Sequence, residues 1–326
     1  MKFSSDVKDR ICGVLTGMAA GDALGAGYEF DSPMPANQPV AMIGGGLGDF
    51  APGEWTDDTS MAIVIARALA NSEGQLDTGA SDYMVRQWAI WAKDAPDVGT
   101  QTRAVLRAAE QTARVDKRDA PNTADAVAAA TAIHRQTGRS GGNGSLMRTA
   151  PIALAYLDRT PDDTYQAAVK ISKLTHFDDE AAEACALWTL AVRHALLTAE
   201  LNIRVGLPLL DPERALVWER RIQQAEEKRP RDFSHNGWVV EAFQGAWSSI
   251  MVSKAADGGS AERLVASVEA AVHGGVDTDT VAAIAGSLVG AACGLRAIPA
   301  QWLEILHGWP GMNAQNLVEL SLELVD

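Results

Sequence analysis

Residues 54–70 read EWTDDTSMAIVIARALA, with two adjacent carboxylates, Asp57 and Asp58, set between Thr56 and Thr59 and directly before an apolar run of helical spacing. A helix start needs an oxygen that accepts from its free N–H groups, and it favours negative charge nearby. One Asp meets that need, and a second adds repulsion. Residues 273–294, HGGVDTDTVAAIAGSLVGAACG, repeat the arrangement: Asp277 and Asp279 alternate with Thr278 and Thr280, again ahead of an apolar helix. Capping explains either copy alone, but not why both starts carry a surplus acid beside threonine hydroxyls. If the two starts converge, four carboxylates face one another and hard cations offset their repulsion. An all-oxygen donor set favours Mg²⁺, Mn²⁺ or Ca²⁺ over zinc or copper.

A third stretch, TGRSGGNGSLMRTAPIALAY (137–156), places Gly138, Gly141, Gly142 and Gly144 ahead of a helix expected to begin near Ser145. Closely spaced glycines let backbone N–H groups turn toward one point, and a helix N-terminus adds positive potential, so the loop suits a phosphate; a flexible, capped turn has the same composition. It is neither a Walker motif nor a dinucleotide-binding G-x-G-x-x-G after a strand. His176 stands beside Thr175, Asp178 and Asp179 at another helix start, with no second His at ligand spacing, which points to hydrogen bonding rather than metal ligation. His194, deeper in the same helix, reads as structural.

The elements that must hold these groups are helices. Apolar residues recur at three- and four-residue spacing and alternating runs are scarce, so an all-α fold is expected. Gly13, Gly17, Gly21 and Gly25 line one helical face, and Gly286, Gly290 and Gly294 repeat that spacing. Glycine weakens an isolated helix, so such a ridge predicts close approach of another helix, and the two ridges are expected at the centre of the bundle. The chain of 326 residues has no linker-like or repeated segment and reads as one domain, 1–326, with a charged, solvated periphery at about 202–235. A formal net charge of −14 argues against a nucleic-acid binder that tracks phosphates. Cys12, Cys185 and Cys293 lie in apolar contexts without C-x-x-C spacing, which suggests reduced thiols in a cytoplasmic protein. The charged N-terminus does not read as a secretory signal, and the stretch from Val281 to Leu295 is too short to span a bilayer, so no membrane association is expected.

Together GMAAGDALGAGYEF, WTDDTSMA, GRSGGNGSLMR, LTHFDDEAAEAC, NGWVVEAF and DTDTVAAIAGSLVGA resemble, in order and spacing, the ADP-ribosylglycohydrolase family, from about Ile11 to Leu295. The resemblance implies a compact orthogonal helical bundle with a metal-floored cleft for ADP-ribose and two Mg²⁺ or Mn²⁺ ions. It implies that Thr56, Asp57 and Asp58 are ligands of one ion and that Asp277, Asp279 and Thr280 surround the second, with Asp279 bridging. It further implies that Gly142, Asn143, Gly144, Ser145 and Met147 cradle the diphosphate, that His176 contacts the ribose or phosphate region, and that Glu29 sits on a flap over the metals. Trp238 occupies the place of a smaller aromatic and is expected against the distal ribose. Val276 is an addition between GG and DTDT.

The chemistry implied is hydrolysis of the glycosidic bond at C1 of the distal ribose, through a cation-like sugar, with the metals orienting the ribose and activating water and with Asp58 or Glu29 accepting its proton. The expected partner is an ADP-ribosylated protein or other target, with ADP-ribose as product, acted on by a monomer. Two other readings remain at this level: a non-catalytic ADP-ribose-binding module, and a hydrolase of a free derivative such as O-acetyl-ADP-ribose. The residue types leave the scissile linkage open; the acidic balance favours a cationic leaving group such as arginine.

Overall fold

The computed structural model describes residues 3–253 and 259–325. In chain order the α-helices are α1 (Ser5–Gly25), α2 (Asp57–Asn71), α3 (Thr78–Trp91), α4 (Thr100–Val115), α5 (Thr123–Thr137), α6 (Pro151–Ala155) and α7 (Pro161–Ser172). They continue as α8 (Asp179–Thr198), α9 (Pro212–Glu227), α10 (Val239–Ser253), α11 (Ser260–His273), α12 (Thr278–Cys293), α13 (Ala300–Ile305) and α14 (Ala314–Glu323). The described strands form one antiparallel hairpin of two-residue strands, His307–Gly308 and Met312–Asn313. The fold is all-α, as the periodicity predicts.

The two glycine ridges meet at the centre. A Cβ on Gly13 would lie 2.4 Å from the Gly290 carbonyl oxygen, one on Gly17 2.6 Å from that of Gly286, and one on Gly21 2.1 Å from that of Ala282. At the far end a Cβ on Gly25 would sit 2.5 Å from the Asp279 backbone. The pairing runs in opposite directions along the chain, so α1 and α12 are antiparallel with their backbones in contact, and any side chain on the ridge would force them apart. This contact sets the end of α1, with Asp22 and Glu29, against the start of α12, with Asp277 and Asp279.

Seven of the fourteen described α-helices are closed at their start by the side chain of their own cap residue. Asn122 and Asp125 form a capping box on α5, Thr160 and Asp163 one on α7, and Asn313 and Asn316 one on α14. The starts of α2 and α12 are among those not closed in this way: neither Thr56 nor Asp277, the residue at each cap position, bonds its helix through its side chain.

Residues 202–235 carry α9, which is charged outside but seated by Trp218, Ile222 and Ala225 on its inner face. Arg214 grips Glu183 of α8 (Nη2 to Oε2, 2.5 Å), and Trp218 Nε1 donates to the same carboxylate at 2.7 Å. No described helix is long and apolar enough to cross a membrane. The three cysteines are free; Cys12 and Cys185 are buried and Cys293 is half-buried.

Candidate active site

The surplus acids of α2 have a structural explanation that local sequence does not contain. Asp22, buried in the last turns of α1, reaches across to cap α2: Oδ1 accepts from Thr56 N (2.8 Å), and Oδ2 accepts from Thr59 N (3.0 Å) and Thr59 Oγ1 (2.6 Å). With the N–H groups served from another helix, Asp57 and Asp58 are released from capping. Asp57 Oδ2 accepts from Gly99 N at 3.2 Å, and Asp58 Oδ2 accepts from Thr56 Oγ1 at 3.1 Å. Asp58 Oδ1 is buried and has no hydrogen-bond partner among the described residues.

At the start of α12 the carboxylates are occupied. Asp277 Oδ2 accepts from Asn143 Nδ2 at 2.7 Å, and its backbone N donates to Asn236 Oδ1 at 3.1 Å. Asn236 also accepts at its carbonyl from Asn143 Nδ2 (2.8 Å) and donates from Nδ2 to the Gly275 carbonyl (3.0 Å). It thus ties the second acidic start to the glycine loop. Asp279 Oδ1 accepts from Thr280 N at 2.9 Å, and its other oxygen faces Thr56 Oγ1 at 3.4 Å. The two helix starts therefore touch, although their residues lie far apart in sequence.

Two triads of carboxylate oxygens lie within 4.8 Å of one another: Asp22 with Asp58 and Asp279, and Glu29 with Asp277 and Asp279. Asp279 belongs to both. Burial raises the carboxyls of Asp57, Asp58, Asp277 and Asp279 above their ordinary range; neighbouring carboxylates raise Asp57, Asp58 and Asp279 further, whereas the Asn143 amide partly relieves Asp277. Burial, then the charges of Asp277, Asp97 and Asp57, push Glu29 up to about 8. Burial pushes Asp22 up to about 6, against the bonds from Thr59 and Thr56. A buried oxygen without a donor, inside a cluster of like charge, is what a hard cation relieves, so the donor set fits divalent metal ions.

A cavity of about 360 Å³ opens over this cluster. Glu29, Asp57, Gly142, Asn143, Gly144, Met147, His176, Asp277, Asp279 and Thr280 line it; Thr56, Asp58, Ser145 and Trp238 do not. The helix expected from Ser145 begins instead at Pro151, which has no N–H and is suited to the first turn. Residues Asn143–Ser145 form a 3-10 turn, and the Ser145 hydroxyl is buried against Ser172 Oγ (2.9 Å) and Cys185 Sγ (3.4 Å). The glycine loop therefore presents backbone without an adjoining helix terminus. Trp238 is 41% exposed at the rim, where it pairs with Gly142 in a β-bridge; Val239 N donates to the Gly141 carbonyl at 2.9 Å. Val276 adopts φ +66°, and its backbone pairs with Phe30 and Asp31, fastening the chain after Glu29 to the start of α12.

Asp97 and Gln101 line the cavity without any sequence signal of their own, and Asp22 and Asn236 support it from behind. A second cavity, of about 700 Å³, shares Asp57 and Asp97 with the first and is walled by Phe50, Trp55, Trp91 and Trp309, with Glu54 and Asp94. His194 lies outside both cavities.

A family model described as ADP-ribosylglycohydrolase matches residues 4–326. The chain is 29% identical over 327 residues to the ADP-ribosylarginine hydrolase Tri1 of Pseudomonas putida (strain GB-1), spanning 98% of this chain and 78% of that one. It is 29% identical over 309 residues to the ADP-ribosyl-dinitrogen reductase glycohydrolase of Rhodospirillum rubrum, spanning 92% and 91%. A solved structure described as an ADP-ribosylglycohydrolase-related protein complex superposes with a TM-score of 0.70 at 26% identity and covers 99% of both chains.

Proposed function

Because the chain belongs to the ADP-ribosylglycohydrolase family, we propose that it releases ADP-ribose from modified targets by hydrolysing the glycosidic bond at C1 of the distal ribose. The observation that carries this reading is the convergence of the two acidic helix starts beneath a cavity whose other wall is the glycine loop. Asp57, Asp58, Asp277, Asp279 and Glu29, with Thr56 and Thr280, would hold two Mg²⁺ or Mn²⁺ ions, and Asp22 completes one triad while capping α2. Bound there, divalent cations supply Lewis acidity toward the ribose hydroxyls and the attacking water.

The chain's own groups do the rest. The backbone of Gly142–Gly144 and the ring of His176 hold the diphosphate, so binding energy remote from the reacting carbon positions the ribose. Water oxygen bonds to C1, the bond from C1 to the leaving atom breaks, and that atom keeps the electron pair. Glu29, ionised once bound cations offset the charge of its neighbouring carboxylates, takes the water's proton: it lines the cavity, whereas Asp58 is enclosed at 0% exposure.

The linkage favoured is arginine. The relative in Pseudomonas putida carries that activity in its name, and the adjoining cavity offers aromatic faces and carboxylates of the kind that receive a guanidinium. Free thiols and the lack of a membrane-crossing helix among the described residues agree with action in a reducing, aqueous compartment.

A linkage panel with a chelator control tests the proposal. Arginine-, serine- and nucleic-acid-linked ADP-ribose and O-acetyl-ADP-ribose are incubated with the protein and Mg²⁺ or Mn²⁺. Release from the arginine substrate, abolished by chelation, is expected. No release from any substrate would overturn the hydrolase reading, and release from O-acetyl-ADP-ribose alone would replace the target with a free metabolite.

A further inference from the structure

Arg148 closes the glycine-loop motif and is fully buried (0% exposed), yet its described hydrogen bonds include none to a carboxylate. Its guanidinium carbon lies 4.3 Å from the centroid of Trp88, Nη1 faces Met61 Sδ at 3.5 Å, Nη2 donates to Thr175 Oγ1 at 2.7 Å, and Nε has no hydrogen-bond partner among the described residues. A buried cation so poorly matched is costly if packing is its only purpose. Its one good hydrogen bond leads toward the cavity.

Thr175 Oγ1 also lies 2.8 Å from His176 Nδ1. Arginine can only donate, so the Thr175 oxygen accepts from Arg148 and its single proton is free to go elsewhere. Thr175 is fully buried, and His176 Nδ1 is the acceptor within reach; were Nδ1 protonated, two donors would converge on one hydroxyl whose own hydrogen would be left unpaired. The opposite edge of the ring abuts the glycine loop: a Cβ on either Gly142 or Gly144 would come within 3.3 Å of Nε2.

We propose that Arg148 is a positioning residue that acts through Thr175 to fix His176 as the tautomer with hydrogen on Nε2, aimed at the glycine loop as a donor to an anionic oxygen of the ligand. Burial, reinforced by the charge of Arg148, pushes His176 down to about 3, so the ring is neutral at ordinary pH and one nitrogen alone carries hydrogen. Neutrality without tautomer control would let the ring offer an acceptor to an anion. The relay removes that state. The identity of the anion, the diphosphate of ADP-ribose, rests on the function proposed above, whereas the tautomer does not.

The test is ¹⁵N NMR of the histidine rings in the wild-type protein and in Thr175→Val and Thr175→Ser, paired with calorimetric titration of ADP-ribose. Wild type should show a non-protonated Nδ1 and a protonated Nε2 on His176, unchanged from pH 5 to 8. Thr175→Val should mix the tautomers and weaken ADP-ribose by about tenfold or more, as expected for weakening a hydrogen bond to a charged acceptor; Thr175→Ser should restore both. A protonated Nδ1 in the wild-type spectrum overturns the relay, and that spectrum needs no variant to fold. So does Thr175→Val with an altered melting temperature and an unaltered tautomer, the signature of a merely structural contact. A relay intact in the spectra of a wild-type protein that binds no ADP-ribose would instead overturn the functional reading while leaving the tautomer assignment standing.

Discussion

The two acidic helix starts share a composition and differ in what their carboxylates are bonded to. At α2 the cap is provided by Asp22 from another helix, and Asp58 keeps an oxygen with no donor among the described residues. At α12 the protein supplies the donors: Asn143 for Asp277, and the Thr280 N–H for Asp279. Asp57 and Asp58 also have one protein donor each, Gly99 N and Thr56 Oγ1, so the two starts differ at a single buried atom, Asp58 Oδ1, whose charge a proton or a cation can offset. The same motif thus serves as a fixed wall at one end and an unsatisfied one at the other.

The comparison is broken most directly at Asp58. Asp58→Asn should lower hydrolysis by at least about 10³-fold, since a ligand to a Lewis-acid centre governs several kcal/mol of barrier. In chelator-treated protein the same change should raise the melting temperature by removing an unrelieved buried charge, and melting curves with and without chelator would show both effects. Asp22→Ala should do the reverse to stability: it strips the cap from α2 and costs about 1–2 kcal/mol in denaturant melts of chelator-treated protein. Equal responses to these two substitutions would dissolve the distinction between cap and ligand. Asn236→Ala should cost about 1 kcal/mol, read from the same melts, because it removes one acceptor from Asp277 N and one donor to Gly275. Its effect on activity should be a raised KM, since it holds the glycine loop against α12.

The smallest and broadest effect is on pH. Asp22 and Glu29 have folded values of about 6 and about 8, above their ordinary 3.8 and 4.5. A carboxyl raised in the folded state contributes stability that is complete below its unfolded value and is lost as pH rises through the folded one. Metal-free protein should therefore lose melting temperature from about pH 4 to about pH 8, and added Mn²⁺ should raise it more at pH 8 than at pH 5. A flat metal-free profile over that range would contradict the electrostatics described for the cluster.

Features that repeat locally were legible in the chain. The doubled acids and the glycine ridges announce helix starts and close contact through their own spacing, and both meet in space. What could not be read depends on partners distant in sequence. Asp22 is a single carboxylate between Gly21 and Ala23, and only its burial against α2 makes it a cap; a lone charge on an otherwise apolar helical face was the available signal. Asn236 and Asp97 stand in loops without periodicity. The glycine run points to a helix start at Ser145, but Pro151, six residues on, sets the true one. Trp218, Ile222 and Ala225 show the converse: their helical spacing was present within a segment whose charges drew attention to its solvated side.

The central claim is that the unsatisfied wall at α2 and the fixed wall at α12 together form one centre for two cations. Calorimetric titration of Mn²⁺ into chelator-treated wild type, Asp58→Asn and Asp279→Asn measures this directly. Saturable binding in the wild type, lost in both variants, is the result expected from two helix starts that share Asp279. Binding of Mn²⁺ by both variants with wild-type affinity and stoichiometry would contradict it.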